Sequence, residues 1–583
     1  MKKKKNNITE TANESIMEKN SMKLFTMLSG YFLLVLLLFS LLQFINCINL
    51  NIIQIVSVVT PIIVYLIKNK LLPNKKKIIT ILIYGFLILV LPFIYTKTYD
   101  LSVDGNAYHK TAIAFLKNGW NPLYESARKF QKNNDKVIPI AKEHNQDLWM
   151  EHYPKATWIV AATMYEMTGN IESGKCITLV LSIMLLIISY NCLKKIIDKK
   201  WALIISIAIT LNPIVLGQLF TYYVDGVMGI CYIIELLLLI NIKPTTKIEK
   251  STIINLIAIC CIFVNLKFTG LLCSGVIAAI YYFYWLIINR KNNFKEVFKR
   301  LTLMFVAVFA LSIFIVGSNS YVQNTVEHHN PLYPLIGKDK YDIVTTMEPK
   351  NFNNQSKIKK FIVSTLSKTE NVSGGGYTNT KIPFIIYKEE ITNLYSPDVR
   401  IAGFGPYNAL IAIISIILFT WLGILLYKKE KENFKYLLLP LLTIIVTVIL
   451  VGESWWARYV PQLYIIPISI LLLTIYLRKY YKKKLFIVPS IVLSAVLLVN
   501  ISCFLYIDAK EAIGFISIYK DIRQMKKVDN LKLKLGGYTD LYGYYYTLSD
   551  NGVKYTISND VPKEKMIYKY SWRIGVEACE ELY

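Results

Sequence analysis

The stretch Ile78–Pro122, IITILIYGFLILVLPFIYTKTYDLSVDGNAYHKTAIAFLKNGWNP, decides how this chain is read. Its first part, Ile78–Tyr95, carries no charge and is close to the roughly 20 residues a helix needs to cross a bilayer's hydrocarbon core. The apolar run then stops, and Asp104 stands at the head of a short amphipathic helix with Tyr108, Ala112, Phe115 and Leu116 on one face. That helix is expected at the lipid–water boundary, where an acidic side chain is costly and so marks a functional candidate. The plain alternative is an N-cap, which contributes about 1 kcal/mol. Asp100, one turn earlier, is a second acid on the same loop or ordinary turn chemistry.

The same apolar pattern recurs along all 583 residues, of which 54% are hydrophobic, too apolar for a soluble globule of this size. Thirteen candidate spans result: Leu24–Ile45, Leu50–Ile67, Ile78–Tyr95, Gly174–Leu193, Trp201–Phe220, Gly226–Ile242, Thr252–Leu266, Phe268–Ile288, Leu301–Ser318, Tyr407–Tyr427, Tyr436–Val451, Tyr459–Leu477 and Leu485–Ile507. Thr252–Leu266 is short and is kept because Lys267 interrupts the apolar run and marks a turn. The expected fold class is an all-α polytopic membrane protein of about 13 transmembrane helices. Leu24–Ile45 is too long for a signal-peptide core and no small-residue cleavage site follows it, so it reads as a retained span.

A net charge of +27 resembles a nucleic-acid footprint until its distribution is considered. Nearly half of the basic residues fall in the Lys-rich N-terminus and in the short segments after even-numbered spans, such as KKIIDKK and RKNNFKEVFKR. The positive-inside rule then puts the N-terminus in the cytoplasm and the C-terminus outside, in a cell (cytoplasmic) membrane. The charge is an orientation signal, and no nucleic-acid partner is expected. The nine cysteines lie mostly within spans and form no CxxC framework, so neither a disulfide scaffold nor a zinc site is expected. The Lys, Asn and Ile bias matches an AT-rich bacterial genome.

Three parts follow from this organisation: residues 1–77, an N-terminus with an added hairpin; 78–507, the main membrane domain; and 508–583, an extracytoplasmic module. Two long extracytoplasmic loops, 96–173 and 319–406, interrupt the membrane domain. The first has a second helical pattern at Ala156–Met167. In the tail, LKLKLGGYTDLYGYYYTLSDNGVKYTI combines strand-like alternation with an Asp-Asn-Gly turn, which reads as a small α/β or β module. There is no internal repeat of the kind many transporters show.

Charges in otherwise apolar external turns are the remaining candidates. Glu151-His152-Tyr153-Pro154-Lys155 places two cations beside the Asp104 loop, or merely snorkels to headgroups. Thr221-Tyr222-Tyr223-Val224-Asp225-Gly226 puts an acid in a short turn where nothing structural demands one. Glu453-Ser454-Trp455-Trp456-Ala457-Arg458-Tyr459 carries an arginine, whose planar fork suits a phosphate; an aromatic belt with one orienting charge is the alternative. Lys267 is a similar, less specific cation. All five histidines (His109, His144, His152, His328, His329) fall in the two long loops, without a spacing that suggests metal. Glu235, inside a span, is expected to face the bundle.

Together these features resemble the GT-C superfamily of integral-membrane glycosyltransferases, in particular its protein O-mannosyltransferase and aminoarabinose-transferase branch. The resemblance runs from about Ile78 to Ile507. It rests on Asp104, Tyr108, Leu116, Gly119 and Pro122; on His152-Tyr153-Pro154-Lys155 with Trp158, Thr168-Gly169 and Glu172; on Asp225; and on Arg458-Tyr459 with Pro461. It departs from the family in the added hairpin and in Asp104-Gly105, where many relatives have two adjacent acids. The resemblance implies transfer of a sugar from a polyprenyl-phosphate donor to a glycan, lipid or protein acceptor, with inversion and without a nucleotide sugar. Asp104 would be the general base. Arg458, Lys155, His152 and Lys267 would hold the donor phosphate. Asp225, Asp100 and Tyr108 would orient the acceptor, or a divalent metal ion where one is used. Two other classes fit the same composition: a transporter or flippase of lipid-linked glycans, and a polymerase or ligase that depends on external Arg and His more than on Asp104.

Overall fold

The computed structural model describes residues 16–69, 75–134, 147–429, 431–481, 487–528, 531–535, 542–557, 566–569 and 576–580, apart from 339, 342, 343, 345, 346 and 373. The N-terminal lysines, His144, part of the polar middle of the first long loop and Lys482–Lys484 lie outside the described residues.

The protein is predominantly helical. Among the described residues, nine helices are long and apolar enough to cross a membrane: Asn20–Phe44, Leu50–Lys68, Lys75–Tyr95, Ile171–Leu193, Phe268–Ile288, Phe294–Val316, Asn408–Lys428, Pro461–Arg478 and Val488–Met525. Each coincides with one of the thirteen expected spans, and together they make this a multi-pass membrane protein. The other four expected spans are also helical. Trp201–Phe220 is broken, because Asn212-Pro213 ends the Lys199–Thr210 helix; the Asn212 side chain then caps a new turn, Pro213–Leu216, by accepting from Ile214 N. A residue before proline is pushed out of the helical region, and Asn is a good cap. Asp225–Asn241 and Lys250–Val264 are single helices of 17 and 15 residues. Lys431–Leu450 has a described apolar stretch at Leu438–Leu450.

Close helix approach depends on glycines at two contacts that matter for the site. A Cβ on Gly229 would lie 2.9 Å from Pro461 Cβ, and one on Gly226 would lie 3.0 Å from Val215 Cα. Small residues let apolar helices pack backbone to backbone. Here Gly229 brings the Asp225–Asn241 helix against Pro461, and Gly226 brings its start against the Pro213–Leu216 turn.

The last membrane helix continues as one element from Ile487 to Met525 and leads into the C-terminal module. The module has strands β1 (Leu531–Leu535), β2 (Tyr555–Ile557), β3 (Met566–Lys569) and β4 (Val576–Glu580) in the order β2-β1-β4-β3. β1 and β2 are parallel, Leu531 opposite Tyr555, and the helix Gly543–Asp550 makes the crossover between them. β1 is antiparallel to β4, Leu533 opposite Ala578. The LKLKL alternation buries Leu531 and Leu533 on one face, as a half-buried strand requires. With Tyr542, Tyr544, Tyr545 and Leu548 these leucines form a small core that also takes in Tyr99 and Ala107 of the first loop.

Candidate active site

The Asp104 loop is shaped by a carboxylate that sequence reasoning gave a different role. Asp100 is buried; its Oδ1 accepts from Ser102 N (2.8 Å) and Ser102 Oγ (2.5 Å), and Oδ2 accepts from Tyr222 N (2.8 Å). It therefore builds the turn and ties it to the Tyr222 segment. Burial raises its carboxyl above the ordinary range, against the pull of Lys110 and Lys175. Gly105 is the price of this packing: a Cβ there would sit 2.0 Å from Asp100 Oδ2 and 2.4 Å from Ser102 Oγ. Any side chain at this position would have to displace the Asp100 and Ser102 side chains.

Asp104 itself is not an N-cap. It has helical backbone angles (φ −62°, ψ −36°) and its side chain makes no capping bond. Gly105–His109 form one π-turn, closed by Lys110 N donating to Gly105 O, before a regular helix over Lys110–Lys117. That helix is not a surface amphipathic one. Lys110 and Thr111 are as buried as Ala112, Phe115 and Leu116, because the Gly543–Asp550 helix covers the polar side. Lys110 Nζ donates to Glu172 Oε1 (2.6 Å) and Thr547 Oγ1 (3.0 Å), and Thr547 Oγ1 donates to the same Glu172 oxygen (2.6 Å). Lys175 Nζ lies 2.7 Å from Glu172 Oε2. The C-terminal module thus holds the Asp104 turn from behind through a buried charge network.

In front of that turn, four expected site residues converge. Arg458 sits on a one-turn helix, Ala457–Tyr459. Its Nη1 donates to Asp104 Oδ2 at 3.2 Å and lies 3.7 Å from Asp225 Oδ2. Asp225 opens the Asp225–Asn241 helix, where the dipole favours an acid. Lys267 immediately precedes the Phe268–Ile288 helix, an unfavourable end for a cation, and Asp225 Oδ1 compensates it at 2.8 Å. The guanidinium is packed among the rings of Tyr223, Trp456 and Tyr459, 4.6–5.3 Å from their centres. Lys267 lies 4.6 Å from the Tyr459 ring centre. Trp455 and Trp456 are 3% and 2% exposed and pack on Phe352, Ile401 and Ala402, so this segment is not a lipid-facing aromatic belt.

A third carboxylate, Asp398, was not foreseen. Its Oδ1 is 3.0 Å from Arg458 Nε but off the N–H axis, so the contact is an ion pair and Arg458 Nε has no hydrogen-bond acceptor among the described residues. Arg400 Nη2 lies 3.4 Å from Asp398 Oδ2. Burial pushes Asp398 up to about 6 against the pull of Arg458, with Asp104 adding to the rise. Burial also opposes the Arg458 charge, but Asp398, Tyr459, Asp225 and Asp104 outweigh it and raise the guanidinium further. A Pro-Asp pair in a long polar loop reads as a turn, so sequence gave no signal for Asp398.

Three other expected residues have different partners. Lys155 is buried and donates to Glu151 O (2.8 Å), Tyr153 O (2.9 Å) and Asn319 O (3.3 Å). It staples two loops rather than snorkelling, and burial lowers it to about 7. His152 Nδ1 pairs with Asn324 Oδ1 at 2.8 Å, its ring beside His328 and Tyr333, and burial lowers it to about 4. Tyr108 packs on His109, Tyr153 and Trp158 next to the Asp104 turn. Glu235 is fully buried in the bundle, as expected of an acid inside a span. Among the described residues no group of three or more His, Cys, Asp or Glu is placed to hold a metal ion.

The cluster therefore unites Asp104, Asp225, Lys267 and Arg458 from four segments distant in sequence, and adds Asp398. Compared with known proteins, the chain matches no family model and no curated protein sequence.

Proposed function

We propose that the protein is a GT-C-type glycosyltransferase of the cell membrane, moving a sugar from a polyprenyl-phosphate donor to an acceptor hydroxyl at the outer face. The observation that carries this reading is the contact between Asp104 and Arg458, two residues singled out separately for base and phosphate roles. In the reaction the acceptor oxygen attacks the anomeric carbon, the C1–O bond to phosphate breaks, and polyprenyl phosphate leaves with the electron pair. Asp104, the cluster carboxylate with the most exposed side chain at 30%, takes the hydroxyl proton. Arg458 and Lys267 receive the negative charge that develops on the leaving phosphate. Asp225 sets Lys267 in place, and Lys155 and His152 support the loops from behind.

The test is transfer of radiolabelled sugar from polyprenyl-phosphate donors in membranes containing the wild-type chain or Asp104→Asn. The variant is expected to insert normally and lose at least about 100-fold in rate. Unchanged transfer removes Asp104 as base. Substrate movement without a new glycosidic bond in the wild type favours a flippase.

A further inference from the structure

The π-turn that carries Asp104 ends in a histidine whose protonation is fixed by its neighbour. Trp158 Nε1, which can only donate, lies 2.6 Å from His109 Nδ1. Nδ1 is therefore the lone-pair nitrogen, and the ring hydrogen sits on Nε2. A proton added at Nδ1 would face the indole N–H, so the ring can become charged only by breaking this bond. Burial acts in the same direction, pushing His109 down to about 4. Asp104 from its own turn, and Asp225, Lys267 and Arg458 from the facing segments, all act on the ring. Tyr108 and Tyr223 pack 4.2 and 6.5 Å from its centre.

We propose that His109 is a permanently neutral hydrogen-bond donor of the Arg458 site, presenting Nε2–H to a non-bridging oxygen of a prenyl-linked phosphodiester. This rests on the reading given under Proposed function. Its physical reason is charge economy. Asp104 already shares Arg458 with two other carboxylates. An imidazolium beside it would form a second ion pair and hold the base. A neutral ring adds a donor for the phosphate and leaves Asp104 free to take a proton.

The experiment uses the full chain in lipid nanodiscs with 15N-histidine, since five histidines give a simple spectrum. The His109 signals are assigned by their loss in H109Q. At pH 5.5 the ring is expected neutral and protonated at Nε2, and Nε2 is expected to shift on adding a prenyl methyl phosphodiester, whose charge is constant from pH 5.5 to 8. The same probe should bind H109Q, which keeps a side-chain N–H, within about threefold of wild type and H109F about tenfold more weakly. A charged or Nδ1-protonated ring at pH 5.5, or undiminished binding by H109F, overturns the proposal. If R458A loses the probe while H109F keeps it, His109 alone is removed. If the wild type does not bind the probe, the glycosyltransferase reading falls as well. Should H109F not fold, the wild-type spectrum decides: an Nε2 signal that does not move on adding the probe overturns the proposal.

Discussion

Arg458 Nη1 donates to Asp104 Oδ2 across 3.2 Å, although 354 residues separate the two positions. The contact brings the first polar loop against a short turn late in the chain, and Asp225 and Asp398 face the same guanidinium. A cation held by three carboxylates is locked in place before any ligand arrives. Preorganised charge of this kind costs no reorganisation when a leaving group becomes anionic.

Removing that cation should therefore affect both binding and turnover. Arg458→Ala is expected to lower kcat/KM for a polyprenyl-phosphate-sugar donor by at least about 100-fold, and Arg458→Lys to recover only part of it, because the fork is lost. Steady-state kinetics in detergent or nanodiscs measures this. Wild-type kcat/KM in Arg458→Ala would take the phosphate role from this residue.

Gly105 offers a test of the turn alone. Gly105→Ala places a methyl 2.0 Å from Asp100 Oδ2. Either the Asp100 bonds to Ser102 and Tyr222 break or the π-turn shifts, at a cost of about 1–3 kcal/mol. Thermal unfolding should show a lowered midpoint and transfer should fall with it; a variant as stable and active as wild type would mean that the turn is looser than described.

The buried network behind the turn is expected to respond unequally to its two simplest substitutions. Glu172→Gln leaves Lys110 and Lys175 as buried cations without their shared acid, a loss of about 3–5 kcal/mol. Thr547→Val removes hydrogen bonds only and should cost about 1 kcal/mol. Equal losses in a thermal unfolding series would contradict the assignment of Glu172 as the network's centre.

Asp398 predicts a pH dependence of stability. Its folded pKa, raised to about 6, lies above the roughly 3.9 of an unfolded Asp. The folded state therefore favours the protonated form. The stability this group contributes is fully present below about pH 4 and is lost as pH rises through 6. Asp398→Asn should flatten that part of the profile of unfolding midpoint against pH. A slope unchanged by the substitution would show that another group sets it.

Much of this was legible in the sequence, because an apolar chain makes its charges conspicuous. Asp225 and Lys267 each end an uncharged run, Arg458 opens one and Asp104 follows one by a few residues, and all four meet. The break at Asn212-Pro213 was also readable as a cap followed by proline, but the surrounding hydropathy outweighed it. Other features had no local signal. Lys110 falls on the polar side of its helix and is buried only because a helix more than 400 residues later packs over it. Asp398 and Arg400 sit among many charges in a loop, and only tertiary packing selects them. The last expected span ends at Ile507, yet the helix continues to Met525, where Ile518, Ile522 and Met525 pack on the C-terminal module.

A structure of the full chain in nanodiscs with added polyprenyl phosphate tests the central claim most directly. The phosphate is expected within hydrogen-bonding distance of Arg458 and Lys267, with Asp104 facing the space beside it where an acceptor hydroxyl would lie. A lipid phosphate bound elsewhere, with the Arg458 cluster unchanged and closed to it, would contradict the account.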